Sequence, residues 1–202
     1  MTVDDHPLMR EGIAAMLAAH DDLALVGEAA DGWAAVQAYD ALRPDVVLMD
    51  LQMPEMDGAA AITRIVAAAP QARILVLTTY RGDAQARRAF SAGASGYLLK
   101  NAIRRELIDA IRQVHAGRRY LPANVAAELG QYALEDELSG RELDVLRRLT
   151  QGGSNREIGA ELGLSEDTVK THMKAILSKL HASDRTQAVV IAIRRGIVDV
   201  GL

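Results

Sequence analysis

At 202 residues the chain is long enough for one large or two small domains, each able to bury its own core. No apolar run approaches the roughly 18 residues of a membrane-spanning helix, and Met1-Thr2-Val3-Asp4-Asp5-His6-Pro7 lacks the basic and apolar regions of a signal peptide. The absence of cysteine excludes disulfides and thiolate metal sites and agrees with a cytoplasmic address, and the formal net charge is −4.

That charge is uneven. Residues 1–136 hold 13 Lys+Arg against 18 Asp+Glu, and residues 137–202 hold 10 against 9, so the tail is not basic enough to indicate nucleic-acid binding by charge alone. Of the 23 basic residues only Lys100, Lys170, Lys174 and Lys179 are lysines.

Apolar residues at Leu8, Met9, Ile13, Met16 and Leu17 follow helical spacing after Pro7, which suits a first turn, and predict a helix to about His20. Leu23 to Ala29 reads as a strand and Trp33 to Leu42 as a helix. Asp45-Val46-Val47-Leu48-Met49-Asp50 has apolar residues between carboxylates, the pattern of a strand buried on both faces of a parallel sheet. Ala59 to Ala68 reads as a helix, Arg73 to Thr78 as a strand, Asp83 to Ala92 as a helix, Gly96 to Lys100 as a short strand and Ile103 to Ala116 as a helix. Strict alternation implies a parallel sheet covered by helices on both faces. Arg118-Arg119-Tyr120-Leu121-Pro122 breaks the pattern, and a short helix over Ala123 to Ala133 leads to a charged joint at Leu134-Glu135-Asp136-Glu137. The expected division is a first domain over 1–117, a linker over 118–136 and a second domain over 137–202.

Asp50 stands at the carboxyl end of its strand, where open α/β sheets bind ligands; a turn-starting aspartate before Pro54 and Gly58 is the competing reading. Asp4 and Asp5 are expected at the end of the first strand, Thr78 at the end of the fourth and Lys100 at the end of the fifth. Singly, Lys100 reads equally well as a surface charge, Thr78 as a strand residue and Asp4-Asp5 as a helix cap. Gathered at one rim, the carboxylates call for a hard divalent cation such as Mg²⁺, and a lysine and a hydroxyl beside it suit phosphoryl transfer to Asp50.

The Asp-Asp pair, Asp50 followed by Met53-Pro54-Glu55-Met56-Asp57-Gly58, the Leu77-Thr78-Thr79 and the Gly96-Tyr97-Leu98-Leu99-Lys100 together resemble a two-component response regulator receiver domain. The resemblance implies a flavodoxin-like, doubly wound, five-stranded parallel fold with Asp50 as phosphoacceptor. It also implies Mg²⁺ held directly by Asp5 and Asp50, through water by Asp4, and by the backbone carbonyl of Gln52. Thr78 and Lys100 would hold phosphoryl oxygens, and Thr78 with Tyr97 would form a switch whose ring turns inward; Tyr97 reads equally as a half-buried strand residue. Gln52 and Tyr80 would flank the attacking water, with Tyr80 shielding the acyl phosphate. The sequence departs from the family in having only Met1-Thr2-Val3 before Asp4, which predicts a very short first strand, and in Asn101 after Lys100 where proline is frequent.

In the tail, Ser139 and Glu142 form a capping-box pattern before a helix to Thr150. Ser154-Asn155 cap a second helix, Arg156 to Leu162, and Ser165 caps a third, to about Leu180. Leu162-Gly163-Leu164-Ser165 between them gives a helix-turn-helix spacing. On the third helix Val169, Met173, Ile176, Leu177 and Leu180 should be buried, with Lys170, Thr171, Lys174 and Ser178 on another stripe. Exposed lysines alone more often mark a solvated face; in this place they mark the helix that enters a major groove. Asp184-Arg185-Thr186 begins a last helix through Arg194.

Leu138-Ser-Gly-Arg-Glu-Leu-Asp-Val-Leu, Gly152-Gly-Ser-Asn-Arg-Glu-Ile, Leu164-Ser-Glu-Asp-Thr-Val-Lys-Thr-His and Lys179-Leu-His-Ala-Ser-Asp-Arg-Thr-Gln-Ala resemble an all-α, four-helix LuxR-type DNA-binding domain. By that resemblance Lys170, Thr171 and Lys174 face bases, Ser154, Asn155, Thr168, Lys179 and Arg185 hold phosphates, and His172 is structural or phosphate-facing. The two halves resemble a response regulator of the NarL/FixJ type. Such a protein would be phosphorylated on Asp50 by a sensor histidine kinase, would dimerise on phosphorylation and would bind promoter DNA. It would have no membrane partner and no catalysis beyond its own phosphoryl transfer and loss. Two other readings stay open, a phosphorylation-independent DNA-binding regulator with a degenerate receiver and a Mg²⁺-dependent phosphatase of the haloacid-dehalogenase kind, which leaves residues 138–202 unexplained.

Overall fold

The computed structural model describes residues 1–79, 82–131 and 137–198. Five parallel strands, β1 (Thr2–Val3), β2 (Glu28–Ala29), β3 (Val47–Asp50), β4 (Ile74–Thr78) and β5 (Gly96–Leu99), form one sheet in the order β2-β1-β3-β4-β5. The strand order reverses direction between β1 and β3, which is the place where such sheets open a crevice at their carboxyl ends. The connecting helices are α1 (Pro7–Ala18), α2 (Gly32–Leu42), α3 (Gly58–Ala68), α4 (Asp83–Ala92) and α5 (Ile103–His115). β3, β4 and β5 are buried along their whole length, as their unbroken apolar runs require of strands covered on both faces.

Several helix starts follow from local chemistry. Pro7 opens α1, and Asp31 and Asp57 accept from the amides of Ala34 and Ala60 at the starts of α2 and α3. The short first strand expected from the sequence is present: only Thr2 and Val3 are paired, with Met1 adding its amine to the Val46 carbonyl at 3.0 Å.

Three expectations are corrected. The strand expected over Leu23 to Ala29 pairs only at Glu28 and Ala29, because a ladder needs a neighbour and β1 offers one only opposite Thr2 and Val3. Lys100 does not end β5 but starts a 3-10 turn through Ala102, which leads the chain off the sheet edge into α5. Residues 118–122, read as a break, return to the sheet: Tyr120 forms a parallel bridge with Gly96, its carbonyl accepting from the Tyr97 amide at 2.8 Å. The linker helix α6 (Ala123–Gln131) follows; Ala133, where it was expected to end, lies outside the described residues. No cis peptide occurs among the described residues.

The chain divides into two compact units, the first holding Met1–Thr79 and Ala86–Ala126 and the second the described residues of 82–85 and 127–198, chiefly the helices from Gly140 onward. Those helices are α7 (Gly140–Thr150), α8 (Asn155–Leu162), α9 (Glu166–Lys179) and α10 (Arg185–Arg194). Capping boxes at Ser139/Glu142 and Ser154/Glu157 start α7 and α8. Gly163 takes the left-handed conformation (φ 66°) that ends α8 and turns the chain into α9, whose start Ser165 caps. Their shared core contains Val145, Leu146, Ile158, Val169, Ile176 and Ala188.

Candidate functional site

Strand register assembles the first site. Val3 is opposite Met49, so the residues that follow, Asp4 and Asp50, leave adjacent strands side by side. Asp50 is opposite Leu77, with Thr78 one step beyond; Thr78 is opposite Leu99, with Lys100 one step beyond that. Asp4, Asp50, Thr78 and Lys100 therefore reach the same carboxyl rim, and all but Lys100 are buried.

The Lys100 ammonium closes the cluster, lying 2.7 Å from Asp50 Oδ2 and 2.7 Å from Asp4 Oδ2. Burial pushes the Asp50 carboxyl above the usual carboxylate range although Lys100 pulls the other way. Burial also works against the Lys100 ammonium, but hydrogen bonds with Asp4 and Asp50 outweigh it and hold the lysine above its ordinary value.

The donor set suits a divalent cation. Asp4, Asp5, His6 and Asp50 each offer a ligand atom within 4.8 Å of the others. The buried oxygens Asp4 Oδ2 and Asp5 Oδ1 face the Lys100 ammonium and the His6 ring, whose Nδ1 lies 2.8 Å from Asp5 Oδ1. Carboxylates at a rim that water can reach are the ligands Mg²⁺ takes.

His6 and Arg10 belong to this site and were missed from the sequence. The His6 amide donates to Asp4 Oδ1 at 2.9 Å, and Arg10, reaching back from α1, donates to the Asp4 carbonyl and to Glu28 Oε2. A polar residue directly after an acid pair, and a basic residue one turn into the next helix, were the available clues. With these bonds, and the Asp4 amide on the Ala29 carbonyl at 3.1 Å, a two-residue strand still fixes the acid loop.

Beyond Asp50 the chain turns sharply. Glu55 has φ 67°, and Gly58 lies so close to the Asp50 backbone that a Cβ there would be 2.0 Å from the Asp50 carbonyl oxygen. The Gln52 amide donates to Asp50 Oδ1 at 3.3 Å. Tyr97 is fully rather than half buried, its ring 6.4 Å from that of Phe90, and the Arg119 guanidinium covers Phe90. The Tyr120 hydroxyl donates to Glu106 at 2.7 Å; burial first, then Glu106, pushes its pKa up to about 12. Tyr80 lies outside the described residues.

In the second unit α9 divides by face as its periodicity predicted. Val169, Met173, Ile176 and Leu180 are buried and Leu177 is partly buried, while Lys170, Thr171, Lys174 and Ser178 are exposed. Ser154 and Thr168 are exposed at helix starts, Asn155 is half-buried, and His172 is half-buried. Arg185 is exposed and donates to the Gly153 carbonyl at 2.9 Å. Lys179 is engaged across helices, 2.9 Å from Glu142 Oε2 and 3.0 Å from the Glu137 carbonyl.

A rim of acids, a hydroxyl and an ammonium on a doubly wound sheet, followed by a helix-turn-helix unit, defines the class of a receiver joined to an effector domain. The family "Response regulator receiver domain" matches residues 1–112, and "Bacterial regulatory proteins, luxR family" matches 136–192. The transcriptional regulatory protein LiaR of Bacillus subtilis is 42% identical over 207 residues, covering 98% of each chain. The crystal structure of the response regulator ChrA of a heme-sensing two-component system is 40% identical, covering 98% of this chain and 97% of that one with a TM-score of 0.57. RcsB of Salmonella enterica serovar Typhimurium, bound to promoter P1flhDC with the phosphomimetic BeF3−, is 27% identical, covering 94% and 95% with a TM-score of 0.72. This chain belongs to the two-component response regulators of the NarL/FixJ type, transcriptional regulators with a LuxR-type DNA-binding domain.

Proposed function

We propose that the chain is a promoter-binding regulator switched by phosphorylation of Asp50, its phosphoryl donor being a sensor histidine kinase in the same cytoplasm. The observation that carries this reading is the Asp4–Lys100–Asp50 cluster at the carboxyl rim of β1, β3 and β5, with two ammonium-to-carboxylate distances of 2.7 Å. A carboxylate oxygen of Asp50 attacks phosphorus, the phosphohistidine N–P bond breaks, and an acyl phosphate forms. Lys100 turns from the Asp50 carboxylate to a phosphoryl oxygen, and the Thr78 hydroxyl donates to another. Asp5, Asp50 and the Gln52 carbonyl would hold Mg²⁺ directly and Asp4 through water, and the ion would supply positive charge against the transferring group. The drawn hydroxyl of Thr78 then fixes Tyr97 in its inward position, stabilising one of two preexisting states.

In the active state the chain is a dimer placing two α9 helices in successive major grooves. Lys170, Thr171 and Lys174 face base edges; Ser154, Asn155, Thr168, Arg185 and Lys179 line the phosphate side, Lys179 contributing least because Glu142 already neutralises it. Dimerisation matters because a C-terminal segment holding 10 basic and 9 acidic residues gains little affinity from charge alone.

Incubating the full chain with a small phosphodonor and Mg²⁺ tests the reading. Stable, acid-resistant labelling that disappears in Asp50→Asn supports it. Continuous release of phosphate supports a phosphatase, and no labelling supports a phosphorylation-independent regulator.

A further inference from the structure

Lys170 and Lys174 lie one turn apart on the exposed stripe of α9, yet their electrostatic surroundings differ. The Lys170 ammonium is held between two carboxylates of its own helix, 3.1 Å from Glu166 Oε1 and 3.2 Å from Asp167 Oδ1. Among the described residues Lys174 has no ion pair. The two acids occupy the first turn of α9, where the helix N-terminus favours negative charge, and both are well exposed, Asp167 at 91%. They therefore stand on the surface that α9 presents to DNA, beside a cation that DNA would otherwise claim.

We propose that Glu166 and Asp167 are specificity-determining residues that hold Lys170 away from the phosphate backbone, so that DNA without the right base edges gains little from it. This rests on the reading of α9 as the groove-entering helix. A lysine binding a phosphate releases a condensed cation from DNA and steepens the salt dependence by about 0.9 per contact. Lys170 must first leave two carboxylates, which then take up cations themselves; the net release is smaller and the exchange close to neutral. Lys174 exchanges only water and delivers its full contribution on any sequence. A site offering two acceptors on one base edge, as guanine does with O6 and N7, replaces both carboxylates at once. The clamp thus lowers affinity for bulk DNA more than for such a site, and specificity is the difference between the two.

The test uses the full chain and a mixed-sequence duplex of about 30 base pairs, with affinity measured across a salt series. Glu166→Gln/Asp167→Asn is expected to tighten binding by about two- to fivefold at moderate salt, the range a released surface ion pair allows. In a Lys170→Ala background the same pair of changes should have at most about a third of that effect, because general removal of negative charge, unlike the clamp, does not need Lys170. Lys170→Ala should also flatten the salt slope less than Lys174→Ala does in the otherwise unchanged chain, and equally once the acids are neutralised. Equal tightening in both backgrounds overturns the clamp while leaving α9 as the DNA-reading helix. No effect of Lys170→Ala on any measurement overturns both. Far-UV circular dichroism establishes that each variant keeps its helices; if the double change unfolds α9, Asp167→Asn alone is put through the same comparison.

Discussion

Lys100 sits on Asp50: the ammonium of a residue in the turn after β5 is 2.7 Å from the carboxylate at the end of β3, across an intervening strand. The same nitrogen reaches Asp4, so one cation answers two buried acids.

Lys100→Met should leave both acids uncompensated and destabilise the first unit by about 3–5 kcal/mol in metal-free buffer, the cost of removing one partner from a buried pair. Trp33, the single tryptophan, lies in that unit, so its fluorescence during urea unfolding reports the change. Saturating Mg²⁺ should recover part of the loss, because the ion supplies the missing positive charge. An unaltered midpoint without Mg²⁺ would show that Lys100 does not neutralise the cluster.

Gly58→Ala tests the turn beneath the site. The new methyl would meet backbone, the Asp50 carbonyl at 2.0 Å, which cannot swing aside as a side chain could. A loss of about 1–3 kcal/mol or more is expected, together with slower labelling of Asp50, measured by urea unfolding and by phosphodonor labelling. Wild-type behaviour in both would mean that the β3–α3 turn relaxes freely.

Glu142 makes the second unit acid-sensitive. Burial pushes its carboxyl up, but the Lys179 hydrogen bond and the Ser139 amide and hydroxyl outweigh it, so it titrates below the ordinary range. A folded-state pKa below the unfolded one contributes stability fully present above about pH 4.3 and lost as pH falls through the lower folded value. Glu142→Gln should cost about 1–2 kcal/mol at pH 7, discounted because Lys179 keeps some solvent contact, and flatten the acid dependence. Helical circular dichroism would follow this, with Trp33 fluorescence unmoved.

Tyr120→Phe removes the hydroxyl donated to Glu106 and should cost about 1 kcal/mol in Trp33-monitored unfolding. It should also remove one late-ionising phenol from the alkaline spectrophotometric titration, since Tyr120 is pushed up to about 12. A variant titrating the same number of phenols near that pH would place the raised phenol elsewhere.

What could be read in the sequence was whatever is periodic or spaced by the chain itself. β3, β4 and α9 announced themselves by unbroken or 3.6-residue apolar patterns, and Asp4, Asp50 and Lys100 by their places at strand ends. What could not be read depended on partners distant in sequence. β2 lost most of its ladder because of what lies opposite, not because of Leu23 to Val26 themselves. His6 and Arg10 are ordinary surface types until the fold turns them onto Asp4. Lys179 looks like Lys174 in sequence, and only the approach of α7 sets it beside Glu142. The pairing of Lys170 with Glu166 and Asp167 was within reach, since acids three and four residues before a lysine share its helix face.

Tyr120 also sets where the chain can be cut. By accepting from the Tyr97 amide and donating to the Ser95 carbonyl it covers the outer margin of β5. A fragment trimmed after Gly117 would bare those groups beside an apolar strand, an invitation to self-association, whereas one carried through Ala126 keeps its own seal.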